Sequence, residues 1–99
     1  FIMVTYQELA NKYSEKLDMF SMAITRAHGK SHPETFEVRE LYEKISKKIK
    51  ENPNDNLNLD EEFNQLRKVT DNYKIPDDVC ETYEATYNML LEIDEAYSA

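Results

Sequence analysis

The chain has 99 residues, with 12 basic and 20 acidic side chains and a formal net charge of −8 at pH 7. This length supports one domain with one core. The negative charge argues against nucleic acid or an anionic membrane as a partner, because both require a concentrated positive patch. No apolar run approaches the roughly 20 residues of a membrane span. The single cysteine cannot form an internal disulfide, so we expect a reducing, cytoplasmic environment.

The first helix is predicted over about residues 5–28, within a single domain at 3–99. Its apolar side chains recur at steps of three and four with polar residues between them, and they are Leu9, Tyr13, Leu17, Phe20 and Ile24. The next step of this stripe is His28, which we expect to point inward at one end of a bundle. Because Phe1 and Ile2 precede Met3, we expect them to be an addition ahead of the native start.

The first corner is predicted at Gly29, the only glycine of the chain. A left-handed residue just past a helix suits glycine, so we expect Gly29 to end the first helix in that conformation. Ser31 and Glu34 have the spacing of a capping box, and Pro33 suits a first helical turn. A second helix is therefore predicted over about 32–51, antiparallel to the first.

The same periodicity predicts the remaining helices. Asparagines around Pro53 mark a loop. A third helix is predicted over about 59–73, since Pro76 disfavours helix at the residue before it, and a fourth over about 77–97. The inner stripes of helices two to four contain Val38, Leu41, Ile45 and Ile49; Leu59, Phe63, Leu66, Val69 and Tyr73; and Val79, Tyr83, Tyr87, Leu90 and Tyr97. The tyrosine hydroxyls are expected at the rim of the core. Together these elements predict an all-α fold, an up-down-up-down four-helix bundle.

This topology places two helix ends and two helix starts at one end of the bundle, which we call the pole. The chemically active side chains predicted there are His28, His32, Tyr73, Asp77, Asp78 and Cys80. The two histidines and the cysteine can supply three zinc ligands, with a neighbouring aspartate as the fourth. Because a glycine separates the histidines, a hydrogen-bonded histidine pair is the favoured interpretation. Cys80 near a helix N-terminus is either a redox-sensitive thiol or, as we favour, a small buried filler.

Two sequence motifs resemble those of a known family. The corner reads Ala-His-Gly-Lys-Ser-His-Pro-Glu at residues 27–34, and Asp-Asn-Tyr-Lys-Ile-Pro-Asp-Asp-Val-Cys follows at 71–80, with Thr82-Tyr83 after it. From about Tyr6 onward these motifs and their helix order resemble the RIC family. These are hemerythrin-like di-iron proteins implicated in repair of iron–sulfur centres after oxidative or nitrosative stress. The resemblance implies a bundle with two irons held by histidines and bridging carboxylates.

Most of the ligands implied by this resemblance are missing. Only His28 falls on a ligand position. An earlier helix-one histidine corresponds to Gln7, and a helix-two histidine with its carboxylate falls near Asn52 and Asn56. The chain has no histidine after the corner and no Glu-x-x-His sequence, and the family's histidine-rich fourth-helix end lies beyond Ala99. Because amides are poor iron ligands, the resemblance implies the scaffold without its di-iron site.

Two functional interpretations follow. The favoured one is a non-enzymatic helical-bundle module of the RIC type, without a cofactor, that binds a protein partner or a second copy of itself. Met19, Met22 and Met89 suit either recognition of a helix face or core packing. The alternative is an iron- or zinc-binding stress-repair protein in which His28 and His32 are joined by ligands from a second chain or from further sequence. The first interpretation requires fewer independent assumptions, because three of the four helices lack metal ligands.

Overall fold

In the computed structural model, which describes residues 4–53 and 57–99, the protein forms four α-helices and no strand within those residues. The helices are α1 (Tyr6–His28), α2 (Glu34–Glu51), α3 (Asp60–Val69) and α4 (Glu81–Ser98). Helix α1 packs against α2 and α4, and α2 also packs against α3. The predicted all-α four-helix bundle is thereby confirmed. None of the four described helices combines the length and the apolar character that a membrane-spanning segment requires.

Helix α1 begins at a capping box formed by Thr5 and Glu8. The Thr5 hydroxyl accepts a hydrogen bond from the Glu8 backbone N–H at 3.1 Å, and the Glu8 carboxylate accepts one from the Thr5 N–H at 3.5 Å. These bonds satisfy backbone donors that have no partner inside the helix. The helix therefore starts where its apolar periodicity predicts.

The corner between α1 and α2 differs from the prediction in two respects. Gly29 has φ −59° and ψ −30°, which is right-handed helical rather than left-handed. The residue before α2 is Pro33, and α2 has no side-chain cap, so the predicted capping box starting at Ser31 is wrong. Backbone bonds shape the corner instead, because the His32 N–H donates to the His28 carbonyl at 2.7 Å.

Helices α3 and α4 are shorter at the pole than predicted. Helix α3 ends at Val69 rather than near residue 73, because residues 71–73 all have positive φ, between 52° and 63°. Aspartate and asparagine, the first two of these residues, tolerate this left-handed conformation better than most. Helix α4 begins at Glu81 rather than near residue 77, with the extended residue Cys80 before it.

The core follows the predicted inner stripes. Side chains that are nearly inaccessible to solvent include Leu17, Ile24, Val38, Ile49, Phe63, Leu66 and Leu90. Three tyrosines depart from the expected rim position, whereas the hydroxyls of Tyr13 and Tyr97 donate to exposed carboxylates as expected. Tyr83 and Tyr87 are fully buried and their hydroxyls lie 2.8 Å apart, and the buried Tyr73 hydroxyl donates to Asp94. Because buried hydroxyls require partners, these tyrosines connect the core to polar networks.

Candidate functional site

The end of α1, the start of α2 and the turn from α3 to α4 meet at the pole. There, His28 Nε2 lies 3.2 Å from Cys80 Sγ, and His32 Nε2 lies 2.9 Å from an Asp78 carboxylate oxygen. These two contacts join residues that are 52 and 46 positions apart in the chain. The structure thus brings together four of the six side chains expected at this end of the bundle.

His32 is the centre of a hydrogen-bonded chain. Its Nδ1 lies 2.9 Å from Glu34 Oε1, and its Nε2 contacts Asp78. The Tyr83 hydroxyl donates to the same Glu34 oxygen at 3.4 Å and also bonds to the Tyr87 hydroxyl. This hydrogen-bonded chain therefore runs from an exposed aspartate at the surface to two buried tyrosines, and it joins the start of α2 to α4.

The charges, hydrogen bonds and burial along this hydrogen-bonded chain shift the pKa values of the side chains that form it. The hydrogen bond to Asp78 is the main cause that raises the pKa of His32, and partial burial opposes it while the Glu34 contact adds to it. Reciprocally, the hydrogen bond from His32 lowers the pKa of Asp78. Burial raises the pKa of both Tyr83 and Tyr87. A protonated His32 between two carboxylates is thus favoured, and both tyrosines remain neutral.

His28 and Cys80 form a second contact beside this chain. The His28 ring packs edge-to-face on Tyr83, with a centroid distance of 5.5 Å, and its centroid lies 6.4 Å from that of His32. Cys80 is exposed, so the favoured prediction of a buried filler is wrong. The reason is that Cys80 lies at the N-cap of α4, outside the helical stripe that faces the core. Its contact with His28 joins α1 to the start of α4.

Two residues predicted for the pole do not join these contacts. Asp77 is exposed and lines a neighbouring cavity. Tyr73 is buried, and its hydroxyl donates to an Asp94 oxygen at 2.7 Å in the interior. Burial is the main cause that raises the pKa of Tyr73, and the Asp94 contact adds to it. Tyr73 therefore belongs to a separate polar network between α3 and α4.

That network contains a buried ion pair that was not predicted from the sequence. Asp94 is 4% exposed, and its two carboxylate oxygens accept bonds from the Arg67 guanidinium at 2.7 and 2.8 Å. A signal for it was present, because Asp94 lies between Leu90 and Tyr97 at helical spacing on the inner stripe of α4. An acidic residue at such a position requires a partner when it is buried.

The donors at the pole do not converge as metal ligands. Across residues 4–53 and 57–99, no group of three or more His, Cys, Asp and Glu side chains could hold a metal ion. His28 faces Cys80, whereas His32 is engaged by two carboxylates. Because a structural zinc requires four ligands, the pole of one chain does not supply a complete zinc site.

The positions carried over from the di-iron family do not converge either. Gln7 lies in the first turn of α1 and His28 is its last residue, so the helical rise separates them by about 30 Å. Asn52 follows the far end of α2, where its amide donates to the Lys48 carbonyl at 3.1 Å. Asn56 lies outside the described residues. The described residues therefore do not fit a di-iron centre.

A cavity of about 350 Å³ opens beside the pole. It lies between the start of α2, the turn from α3 to α4 and the first turns of α4. Apolar side chains of Val69, Ile75 and Pro76 line it, together with the buried Tyr83 and Tyr87. The cavity is thus adjacent to the His32 hydrogen-bonded chain and shares its tyrosines.

Comparison with known proteins gives no family assignment. No protein-family model matches the chain, and neither a curated protein nor a solved structure matches it significantly. Function is therefore inferred from the side chains and surfaces of this chain.

Proposed function

We propose that this protein is a non-enzymatic helical-bundle module that binds another protein through an apolar face on α1 and α2. In this proposal it has the hemerythrin-like scaffold of the RIC type without a di-iron site, and acts as a cytoplasmic accessory in iron–sulfur-centre repair. The hydrogen bonds at the pole support a structural role there, because both ring nitrogens of His32 are in contact with carboxylates, those of Glu34 and Asp78. Such contacts tie the helix ends together.

A pair of exposed apolar side chains on neighbouring helices carries the proposal. Met19 is 66% exposed and Phe36 is 58% exposed. Arg39, one turn after Phe36 on α2, donates to the backbone carbonyl of Asp18, the residue before Met19 on α1, at 3.1 Å. We call the surface formed by Met19, Met22 and Phe36 the α1/α2 face. Methionine and aromatic side chains are enriched in protein interfaces, and this composition favours a protein partner.

The charges around this face indicate which partner it fits. One groove on α1 holds Met19 and Met22, and another on α2 holds Phe36; together they are lined by four acidic and four basic side chains. The surroundings of these apolar residues are therefore balanced in charge, although the chain carries a net charge of −8. The net charge makes two copies repel each other, which disfavours self-association. We therefore propose a different protein, one that presents an apolar segment with a rim of mixed charge.

Site-specific photo-crosslinking tests this proposal. A benzophenone side chain in place of Phe36 should crosslink one defined protein in the native host cells, and the same probe in place of the exposed Glu84 on α4 should not. Adding Met19→Ser should weaken the crosslink about fivefold or more, because an interface anchor contributes at least about 1 kcal/mol. The helical circular dichroism should stay unchanged, since Met19 is exposed.

Three outcomes would contradict the proposal. Equal labelling from both probe positions would show a non-specific surface. A product that Met19→Ser leaves unchanged would place the interface elsewhere. A crosslink between two copies of the chain would replace the separate partner with self-association.

A second candidate function is iron or zinc binding shared between two copies of the chain, in a metal-dependent stress-repair protein. The 3.2 Å approach of His28 Nε2 to Cys80 Sγ favours it, because imidazole and thiolate are preferred zinc ligands. Two chains would together supply four such donors. Metal content, with His28→Ala as the control variant, separates this candidate from the first.

A further inference from the structure

We infer that the cavity beside the pole binds an organic cation, an alkylammonium or guanidinium group carried on an apolar stem. Its volume of about 350 Å³ falls in the range of known small-ligand sites, roughly 300–1,000 Å³. The cavity lies apart from the α1/α2 face, so either proposal can fail without the other.

The charge of the lining favours a cation. Glu34, Asp71 and Asp77 contribute three carboxylates, whereas Lys74 is the one basic residue among the described side chains that line the cavity. A cleft with an excess of one charge concentrates ligands of the opposite charge. Even with the Glu34 carboxylate paired to His32, the carboxylates of Asp71 and Asp77 outnumber the single ammonium group of Lys74.

The inner wall suits an apolar stem. Val69, Ile75 and Pro76 present aliphatic surface to the cavity, and the fully buried Tyr83 and Tyr87 also line it. Because these two tyrosines are buried, they support the wall from behind, and the aliphatic side chains form the surface that an apolar stem would contact. The combination of an aliphatic wall with a surplus of carboxylates distinguishes this cavity from a simple hydration site.

Glu34 is the carboxylate best fixed for recognition. Its described hydrogen bonds are accepted from His32 and from Tyr83, and both use Oε1. Oε2 therefore remains to accept a hydrogen bond from a ligand cation. Because two neighbours already hold the side chain, little conformational entropy is lost when a ligand binds.

The turn that carries Asp71 is also fixed before binding. The Tyr73 N–H donates to the Thr70 hydroxyl at 2.9 Å, and the Lys74 N–H donates to the Thr70 carbonyl at 3.0 Å. These bonds hold residues 71–73 in their left-handed conformation. The turn therefore keeps a carboxylate beside the cavity without further ordering.

Titration of ¹⁵N-labelled protein with butylamine at pH 7, followed by NMR, tests this inference. Butylammonium should shift the amide signals of residues 69–77 and 83–87 saturably. Butanol and butyrate, which match it in length but are neutral and anionic, should not do so at the same concentrations.

A second titration then identifies the source of the cation. It compares a short alanine peptide that has one central lysine with the same peptide that has norleucine at that position. Binding of the lysine peptide assigns it to a protein partner, and binding of the free amine alone assigns it to a small molecule.

A pair of charge variants makes the test specific to the cavity. Asp71→Asn combined with Asp77→Asn removes two carboxylates with little change of shape, and asparagine tolerates the positive φ at position 71. Butylammonium affinity should fall about fourfold, since each exposed ion pair accounts for a factor of about two. Glu84→Gln with Glu95→Gln removes the same charge from exposed positions on α4 and should leave the affinity unchanged. No saturable shift, equal shifts with butanol or butyrate, or equal affinity in both double variants would overturn the inference.

Discussion

Replacing Asp94 with alanine is expected to lower the free energy of unfolding by about 3–5 kcal/mol, the loss typical of a broken buried ion pair. The Asp94 carboxylate accepts two bonds from Arg67 and one from the Tyr73 hydroxyl. Alanine would leave a guanidinium without its counter-ion and a buried hydroxyl without its acceptor. Because the Arg67 side chain is 33% exposed, we expect a loss near the lower limit. Domains of this size are stable by only about 5–15 kcal/mol, so the effect is large.

Urea unfolding followed by circular dichroism measures this loss against two matched variants. Tyr73→Phe removes one hydrogen bond of the same network and should cost about 1 kcal/mol. Glu95→Ala changes the exposed neighbour of Asp94 on α4 and should stay within about 0.5 kcal/mol of the wild type. An Asp94→Ala loss no greater than that of Glu95→Ala would show that the buried pair does not stabilise the bundle.

Gly29→Ala is expected to destabilise the protein by about 1–3 kcal/mol, the range for forcing extra atoms into a packed region. A Cβ atom at Gly29 would lie 2.3 Å from the Thr25 backbone oxygen and 2.8 Å from the Phe36 ring. The ring can rotate away. The carbonyl is fixed by the helix, because it accepts the Gly29 N–H at 3.1 Å. The last turn of α1 must therefore shift, and His28 shifts with it.

Two companion variants identify the cause of this loss. Lys30→Ala changes the exposed neighbour of Gly29 and should leave the unfolding free energy nearly unchanged. Gly29→Ala combined with Phe36→Ala should retain most of the loss, because the contact with the Thr25 carbonyl remains. Full rescue by Phe36→Ala would assign the strain to the ring instead, and an unchanged Gly29→Ala stability would contradict the steric explanation.

The helices themselves could be predicted because their signals are local. Apolar periodicity places the first helix at about 5–28, and the structure has it at Tyr6–His28. The second helix ends at Glu51, as the Asn- and Pro-rich segment after it predicts. Local signals failed where a tertiary contact decides the backbone. Gly29 is required by the Thr25 carbonyl and the Phe36 ring rather than by a left-handed turn.

The candidate site was predictable in its location but not in its pairings. Topology alone places both histidines near the start of α4. Which donor meets which partner depends on distances of a few ångströms, so the bond from His32 to Asp78 and the approach of His28 to Cys80 emerge only in the folded chain. The left-handed turn at residues 71–73 has only a weak local signal, in Asp71 and Asn72, although it shapes the cavity beside the pole.

Elemental analysis of the untagged protein tests most directly whether this bundle is a module without a metal centre. The protein would be measured as purified and after anaerobic incubation with Fe²⁺ or Zn²⁺ and removal of the excess, with His28→Ala treated in parallel. We expect wild type and variant to retain only the same trace of metal, because the pole donors are bonded to one another. Near-stoichiometric iron or zinc per chain or per pair of chains, abolished by His28→Ala, would contradict this account and assign metal chemistry to the pole.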